Sequence, residues 1–162
     1  RDFIQSLTPA KRTFMIDLGV LTSSTFQKEM ASTYKNSISF SLDKNATPAE
    51  IAKVLAEITP DDQVVIAIHD TRARPGNNMP LSADIKTMIT NMASKNVAFV
   101  LFANPYNLSA MPGIENAKAL LVAYQKEDFM QKAAASVLKN QLITTGKLPV
   151  TASGFFKYGE GL

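Results

Sequence analysis

The chain has 162 residues, about the length of one domain, and a formal net charge of +3 from 17 Lys and Arg against 14 Asp and Glu. Because it has no Cys and one His, it excludes disulfides, thiol nucleophiles and multi-histidine metal sites. With 46% hydrophobic and 19% charged residues, we predict one globular domain over residues 1–162, with no nucleic-acid partner and no membrane span.

Short apolar runs alternate with helical patterns in the first part of the chain. Residues 13–18 form an apolar run that ends at Gly19, which predicts a strand. Ser24 then begins a helix, with Gln27 as its capping-box partner. In residues 38–42, Ile, Phe and Leu alternate with Ser, as in a half-exposed strand.

The middle of the chain carries a clear helix start and two buried strands. Thr47 followed by Pro48 and Glu50 predicts an N-cap, a proline in the first turn and a capping box. The continuous apolar runs at residues 64–68 and 97–103 predict strands that are buried on both faces.

The last third repeats the alternation before a tail of different composition. Ser82 begins another helix, residues 119–123 predict a strand, and residues 129–138 predict the last helix. Residues 144–162 hold four glycines and no helical pattern. The alternation predicts an α/β three-layer sandwich, flavodoxin-like, with a mainly parallel sheet and helices on both faces. Ligand sites in such sheets lie beyond the carboxyl ends of the strands.

The polar loop at residues 69–80, which follows the third strand, lies at such an end. Arginines there could grip a carboxylate or phosphate. Residues 69 and 70 are adjacent on a strand and point to opposite faces, which argues against a hydrogen-bonded acid–base pair. The alternative is a solvated loop with a lone His at a strand end. The candidate substrate-binding residues are His69, Asp70, Arg72, Arg74, Asn77 and Asn78.

A hydroxyl-rich turn follows the first strand at residues 22–25. Its position resembles the loop with which flavodoxin-like proteins hold a flavin phosphate, so one hypothesis is a free-standing module that binds FMN or another phosphate there. The other hypothesis is that the hydroxyls cap the following helix. Asp17, near the end of the same strand, lacks the second acidic residue that response-regulator receivers have at this point.

Three segments together carry a resemblance to a known family. Residues 146–151 read GKLPVT, residues 155–162 read FFKYGEGL, and residues 104–106 read NPY after the fourth strand. Together, these segments resemble the second domain of family-three glycoside hydrolases. The resemblance covers roughly residues 11–162. The motif residues, to which we assign a structural role, are Asn104, Pro105, Gly146, Lys147, Leu148, Pro149, Gly159 and Gly161.

The resemblance implies a role for the chain in a larger enzyme. Members of the family are retaining exo-acting hydrolases of β-linked sugars, with a barrel domain followed by an α/β sandwich domain. The Asp nucleophile lies on the barrel, which this chain lacks. The chain then resembles the C-terminal sandwich domain alone, with the barrel of the same polypeptide as its partner. Carbohydrate would reach it only through the full-length enzyme.

The loop at residues 69–80 distinguishes two branches of that family. In glucosidase-type members the acid/base Glu lies on a loop after the third strand of the second domain; in the β-N-acetylglucosaminidase branch it is replaced by a His on the barrel. Residues 69–80 contain no Glu, and Asp70 is their only carboxylate. We therefore expect the β-N-acetylglucosaminidase-like branch, with no catalytic residue, metal or cofactor in this chain. The family also suggests a periplasmic or secreted location, although a cytoplasmic one is equally compatible with the absence of Cys.

Overall fold

The structure is a computed structural model that describes residues 2–161, with side chains from Phe3 onward. Its helices and strands follow in the order α1 (Asp2–Ser6), β1 (Thr13–Leu18), α2 (Thr25–Thr33), β2 (Ser37–Leu42), α3 (Pro48–Leu55), β3 (Gln63–His69), α4 (Ala83–Ala93), β4 (Val97–Phe102), β5 (Ala119–Val122) and α5 (Asp128–Leu138). Two 3₁₀ turns, Pro105–Ala110 and Ile114–Asn116, lie between β4 and β5.

The five strands form one sheet, and every neighbouring pair is parallel. The strand order is β2-β1-β3-β4-β5, which is the flavodoxin-like order. Leu18 lies beside Leu42 on one neighbour and Ile68 on the other, and His69 lies beside Phe102. The predicted α/β sandwich is therefore confirmed, with a sheet that is wholly parallel. The carboxyl ends of β1, β3, β4 and β5 meet at one edge, which we call the carboxyl edge.

Helices cover both faces of the sheet, and the strand alternation decides which residues each face receives. Phe14 and Ile16 of β1 pack with α3 and α4, whereas Met15 packs with α2 and α5. The central strands β3 and β4 are buried throughout, as their continuous apolar runs predict. Strand β5 is an edge strand, and its last three residues are only partly buried.

The helix starts follow the predicted caps, with one correction. Thr47 and Glu50 form the full capping box, and the Ser24 side chain accepts from the Gln27 N–H at 3.0 Å. The prediction that Gln27 completes a second capping box is wrong. Its side chain is buried and donates to the carbonyls of Met15 and Phe40 at 3.0 and 2.9 Å. A buried amide is more stable when it satisfies those strand carbonyls than at the helix start.

The sequence patterns missed α1 and the two 3₁₀ turns, which are too short to show a periodicity. The tail prediction is correct for the part that the structure covers: no helix or strand occurs between residues 144 and 161. Leu162, the last residue of the tail motif, lies outside the described residues. Within residues 2–161, no helix combines the length and the apolar character that crossing a membrane requires.

Candidate functional site

The loop after β3 is organised around the Arg72 side chain. Arg72 Nε and Nη2 donate to the two Asp70 carboxylate oxygens at 2.8 and 2.7 Å. The same guanidinium donates to the carbonyls of Gly76 at 3.1 Å and Asn78 at 2.9 Å. A two-point contact with a carboxylate fixes the plane of a guanidinium, so Arg72 sets the course of the loop around it.

Asp70 is held ionised in this arrangement. It is only 3% exposed. Burial by itself raises the pKa of Asp70, but the hydrogen bonds from the Arg72 side chain and backbone outweigh it and leave the pKa lowered. A general acid needs the opposite, a carboxyl that keeps its proton near neutral pH. The geometry therefore makes Asp70 an anchor for Arg72 and unsuited to protonating a leaving group.

Asn107 is a second anchor of this loop, and sequence reasoning missed it. It is fully buried in the first 3₁₀ turn. Its Oδ1 accepts from the Met79 N–H at 2.6 Å, and its Nδ2 donates to the carbonyls of Gly76 and Asn104 at 3.2 and 2.9 Å. One amide thus joins the loop after β3 to the turn after β4. In the sequence, Asn107 is one of several polar residues in the segment that follows β4, and no pattern distinguishes it from the others.

The remaining predicted loop residues lie at the surface of the carboxyl edge. Arg74, Asn77 and Asn78 are exposed. The Asn77 side-chain oxygen accepts from the Asn104 amide at 3.5 Å, and Asn78 contributes its carbonyl to Arg72. The fold thus pairs Arg72 with Asp70. Arg74 is exposed to solvent.

His69 and Asp70 belong to separate interactions, as strand alternation predicts. His69 Nε2 lies 3.1 Å from Asp17 Oδ1, and both side chains are buried. The other Asp17 oxygen accepts from the Ser24 N–H at 3.0 Å. The His69 ring stacks on Phe102, with ring centroids 4.9 Å apart. His69 is consequently part of the buried face beneath α2.

The Asp17–His69 contact depends on the register between β1 and β3. Ala67 lies beside Asp17 in the β1–β3 pairing, and His69 follows Ala67 by two residues. Residues two apart on a strand share a face, so Asp17 and His69 lie on the same side of neighbouring strands. The alternation along each strand brings the two side chains together only because β1 and β3 are neighbours in this register.

The hydroxyl-rich turn after β1 supports the capping hypothesis. Ser24 caps α2, and the Thr25 hydroxyl donates to the Asp128 carboxylate at 2.7 Å. The Ser24 N–H, which a phosphate would use, already donates to Asp17. With two carboxylates bound at this turn, the local charge opposes an anion.

The loop after β5 reaches across to the loop after β3 through Lys126. Its ammonium donates to the carbonyls of Thr71 at 3.2 Å and Arg72 at 2.9 Å. Gln131 of α5 accepts from the Phe26 N–H at 2.9 Å and donates to the Lys126 carbonyl at 2.6 Å. The loops at three strand ends are therefore joined into one polar network at the carboxyl edge.

The two halves of the tail motif bind each other. The Leu148 N–H donates to the Glu160 carbonyl at 2.7 Å, and the Gly159 N–H donates to the Leu148 carbonyl at 2.9 Å. Gly161 has a φ of +147°, and a Cβ there would collide with the Gly146 carbonyl. A cavity of about 440 Å³ separates this folded tail from the exposed side of β5. Lys147 lines that cavity, and Pro149 lies beside the paired segment.

Metal-ion chemistry has no evident donor set in the part of the chain that is described. Over residues 2–161, no three His, Cys, Asp or Glu side chains lie together closely enough to hold an ion. Every buried side-chain nitrogen or oxygen atom in this range has a hydrogen-bond partner. The buried polar side chains of this range thus satisfy one another by hydrogen bonds.

No protein-family model matches the chain, and no curated protein sequence matches it. Among solved structures, the chain is similar to a glycoside hydrolase family 3 β-N-acetylglucosaminidase from Paenibacillus sp. str. FPU-7. The two share 19% sequence identity with a TM-score of 0.62, over 88% of this chain and 28% of that chain. The resemblance predicted from the tail motif is confirmed at the level of the fold. The chain spans little more than a quarter of the enzyme that it matches.

Proposed function

We propose that the chain is an accessory domain of a retaining, exo-acting β-glycoside hydrolase of the β-N-acetylglucosaminidase type. The observation that carries this proposal is the fold shared with about a quarter of such an enzyme, together with the tail motif. A retaining glycosidase needs two catalytic groups on either side of one bond. In this proposal both lie on a barrel domain of the same polypeptide, and this chain supports the barrel.

The state of Asp70 supports placing the acid elsewhere. Its carboxylate is buried and accepts two hydrogen bonds from the Arg72 guanidinium, and its pKa is lowered. The loop at residues 69–80 has no other carboxyl group. We therefore expect the isolated chain to show no turnover of a chromogenic β-N-acetylglucosaminide. Measured turnover that an Asp70→Asn variant abolishes would contradict this part of the proposal.

The loop after β3 is suited to forming one wall of a substrate pocket. Arg72 and Asn107 hold its backbone in place, while Arg74, Asn77 and Asn78 remain exposed at its surface. Polar side chains on a fixed loop can orient a hydroxylated substrate without taking part in the chemistry. The alternative is a domain that only docks against the barrel and never contacts sugar.

Kinetics of the full-length enzyme separate these two roles. If the loop walls the pocket, Arg74→Ala lowers kcat/KM by about 5- to 10-fold, because a hydrogen bond to substrate is lost. Lys11→Ala is the matched control, since Lys11 is an exposed cation at the opposite edge of the sheet. Equal kcat/KM values for the Arg74→Ala variant, the Lys11→Ala variant and the wild type would favour docking alone.

The size of the native polypeptide tests the accessory role itself. The native polypeptide should be longer than this chain of 17.6 kDa by at least about 250 residues, the length of a typical barrel. An antibody raised against the chain and used on an extract of source cells should therefore detect a band well above 17.6 kDa. A band near 17.6 kDa would contradict a barrel in the same polypeptide.

We also propose a periplasmic or secreted location, and the same antibody applied to cell fractions tests it, with recovery in the cytoplasmic fraction as the contradicting result.

A further inference from the structure

Strand β2 is an edge of the sheet, and within residues 2–161 it pairs with β1 alone. The Asn36 and Leu42 carbonyls accept hydrogen bonds from β1 and the residue that follows it, so the even-numbered residues of β2 point their backbone groups toward β1. Successive residues of a strand point these groups in opposite directions. The odd-numbered residues therefore point their N–H and C=O groups away from the sheet; they are Ser37, Ser39 and Ser41.

The sequence of β2 does not protect this edge from pairing with another strand. Ser37–Leu42 reads SISFSL, with no charged residue, no Pro and no Gly. Soluble proteins usually protect a free edge with a charge, a Pro or a bulge, because an exposed row of backbone groups pairs readily with a further strand. The opposite edge differs, since β5 has four residues and faces the folded tail across the cavity that Leu121 and Leu148 line. The unprotected edge of this sheet is thus β2.

The two faces of β2 carry different kinds of side chain. Ile38 and Phe40 are partly buried against the core that α3 and α4 cover. The Phe40 ring stacks on Phe14, with ring centroids 6.2 Å apart. The serines lie on the other face, and Ser39 is exposed at the middle of the strand. A strand that pairs with this edge would therefore meet apolar side chains on one face and hydroxyls on the other.

A second copy of the same strand matches both faces. Two copies related by a twofold axis perpendicular to the sheet pair their β2 strands antiparallel, and directly opposite residues share a face. With the axis at Ser39, Ile38 lies opposite Phe40 and Ser37 lies opposite Ser41. Aromatic–β-branched pairs and hydroxyl pairs both stabilise antiparallel strands. A register displaced by one residue would place serines opposite apolar side chains and put the two apolar faces on opposite sides.

The charges beyond the two ends of β2 favour the axis at Ser39. Lys35 and Asp43 each lie four residues from Ser39, in opposite directions. This axis therefore places Lys35 of each copy opposite Asp43 of the other, at both ends of the paired strands. An axis at Phe40 would instead place the uncharged Asn45 opposite Lys35. Opposite charges in facing positions stabilise a strand pair, so the charge pattern of the edge is complementary to itself.

We propose that the chain forms a twofold dimer through β2, which joins two five-stranded sheets into one continuous sheet. The outward backbone groups of the three serines form the hydrogen bonds across the axis, and the Lys35–Asp43 pairs set the register. This edge is separate from the loop after β3 and from the tail motif. The dimer is therefore independent of the proposed accessory role, and the experiments on each can fail without affecting the other.

Sedimentation equilibrium of the chain measures the association. We expect the mass to rise with concentration from 17.6 kDa toward twice that value, with a Kd of about 1–100 µM. Ser39→Lys should raise the Kd about fivefold or more, because it places two like charges opposite each other at the axis. Ser94→Lys is the matched control, since it adds the same charge at an exposed position after α4, away from β2. It should leave the Kd unchanged.

A mixing experiment tests the register. Lys35→Glu places two carboxylates opposite each other at each end of the dimer, and Asp43→Lys places two ammonium groups there. Each variant alone should therefore dimerise about fivefold more weakly or worse. An equal mixture sets one acidic and one basic side chain opposite each other at both ends, so a heterodimer should form with about the wild-type Kd. Because Asp43 also accepts from the Asn45 N–H at 2.8 Å, the Ser39→Lys comparison tests the dimer even if Asp43→Lys does not fold.

Three results would overturn the proposal. They are a wild-type chain that stays at 17.6 kDa up to about 500 µM, a Ser39→Lys variant with the wild-type Kd, and a mixture of folded variants that associates no better than its components. A mass that continues to rise beyond the dimer would also contradict it, because a twofold axis closes the assembly at two copies.

Discussion

Asp17 and His69 face each other across neighbouring strands, with Asp17 Oδ1 3.1 Å from His69 Nε2 and both side chains buried. Asp17 also accepts from the Ser24 N–H, so one carboxylate joins β1, β3 and the start of α2. This hydrogen bond fixes the two ends of the turn between Asp17 and Ser24. Asp17 and His69 are ionisable residues near strand ends, and their side chains have a structural role inside the carboxyl edge.

A double-mutant cycle on this pair should show strong coupling. Asp17→Ala alone should cost about 3–5 kcal/mol of unfolding free energy, because it leaves His69 and the Ser24 N–H without their buried acceptor. The double variant Asp17→Ala/His69→Ala should be more stable than additivity predicts, by about 1–3 kcal/mol. Denaturant unfolding of the four proteins measures this coupling.

The control for that cycle is Asp61→Ala, since Asp61 is exposed at the opposite edge of the sheet. Its unfolding free energy should stay within about 0.5 kcal/mol of the wild type. Additive effects at Asp17 and His69 would show that the 3.1 Å contact contributes no coupling energy.

The Asn107 side chain should protect the loop after β3 from local opening, in addition to its contribution to the global free energy of unfolding. Asn107→Ala leaves the Met79 N–H without a partner, at a cost of about 1–3 kcal/mol, while the Gly76 carbonyl keeps its hydrogen bond from Arg72. We expect amide exchange at Met79 to become faster than this global loss of stability explains. In the control Asn91→Ala, on the exposed side of α4, Met79 exchange should stay unchanged. An Asn107→Ala variant with wild-type Met79 exchange would show that other contacts hold the loop.

Gly19 should tolerate no side chain. Its φ of +92° lies in the left-handed region, and a Cβ there would collide with the His69 carbonyl. Gly19→Ala should therefore lower the unfolding free energy by about 1–3 kcal/mol. Gly154→Ala is the control, because no atom lies within 4 Å of the Cβ position there, and thermal unfolding of both variants makes the comparison. Equal midpoints would mean that the β1–α2 turn shifts at little cost.

The contribution of Asp70 to stability should depend on pH in a defined direction. Its pKa in the folded chain lies below the ordinary 3.8, because the Arg72 hydrogen bonds outweigh the effect of burial. A lowered folded pKa stabilises the protein above the unfolded pKa, and this stabilisation is lost as the pH falls through the folded value. The wild type should therefore exceed Asp70→Asn in unfolding free energy at about pH 6, and the difference should shrink toward about pH 3.

Denaturant unfolding of both proteins at each pH checks this expectation. The matched control is Asp61→Asn, since Asp61 is an exposed carboxylate at the opposite edge of the sheet. A constant difference between the wild type and Asp70→Asn would contradict an ionised, Arg72-bound Asp70.

The architecture of this domain is predicted by local patterns in the sequence. The period-two pattern predicts the half-exposed strand β2, and the continuous apolar runs predict the buried strands β3 and β4, although the apolar run of β5 lies at an edge. Ser24, Thr47 and Ser82 mark the starts of three helices with the caps that the structure contains. These signals are local, since each depends on residues within one turn or one strand. The tail motif is also local, and its two halves pair as one folded segment.

The pairing of the buried polar side chains, in contrast, depends on the tertiary fold. His69 bonds Asp17 rather than its neighbour Asp70, and Asn107 supports a loop 28 residues earlier in the chain. Such contacts depend on strand order and register, which bring together groups that are distant in sequence. The physical reason is that a buried polar group must find a partner wherever the fold supplies one, and the partner's identity is a property of packing.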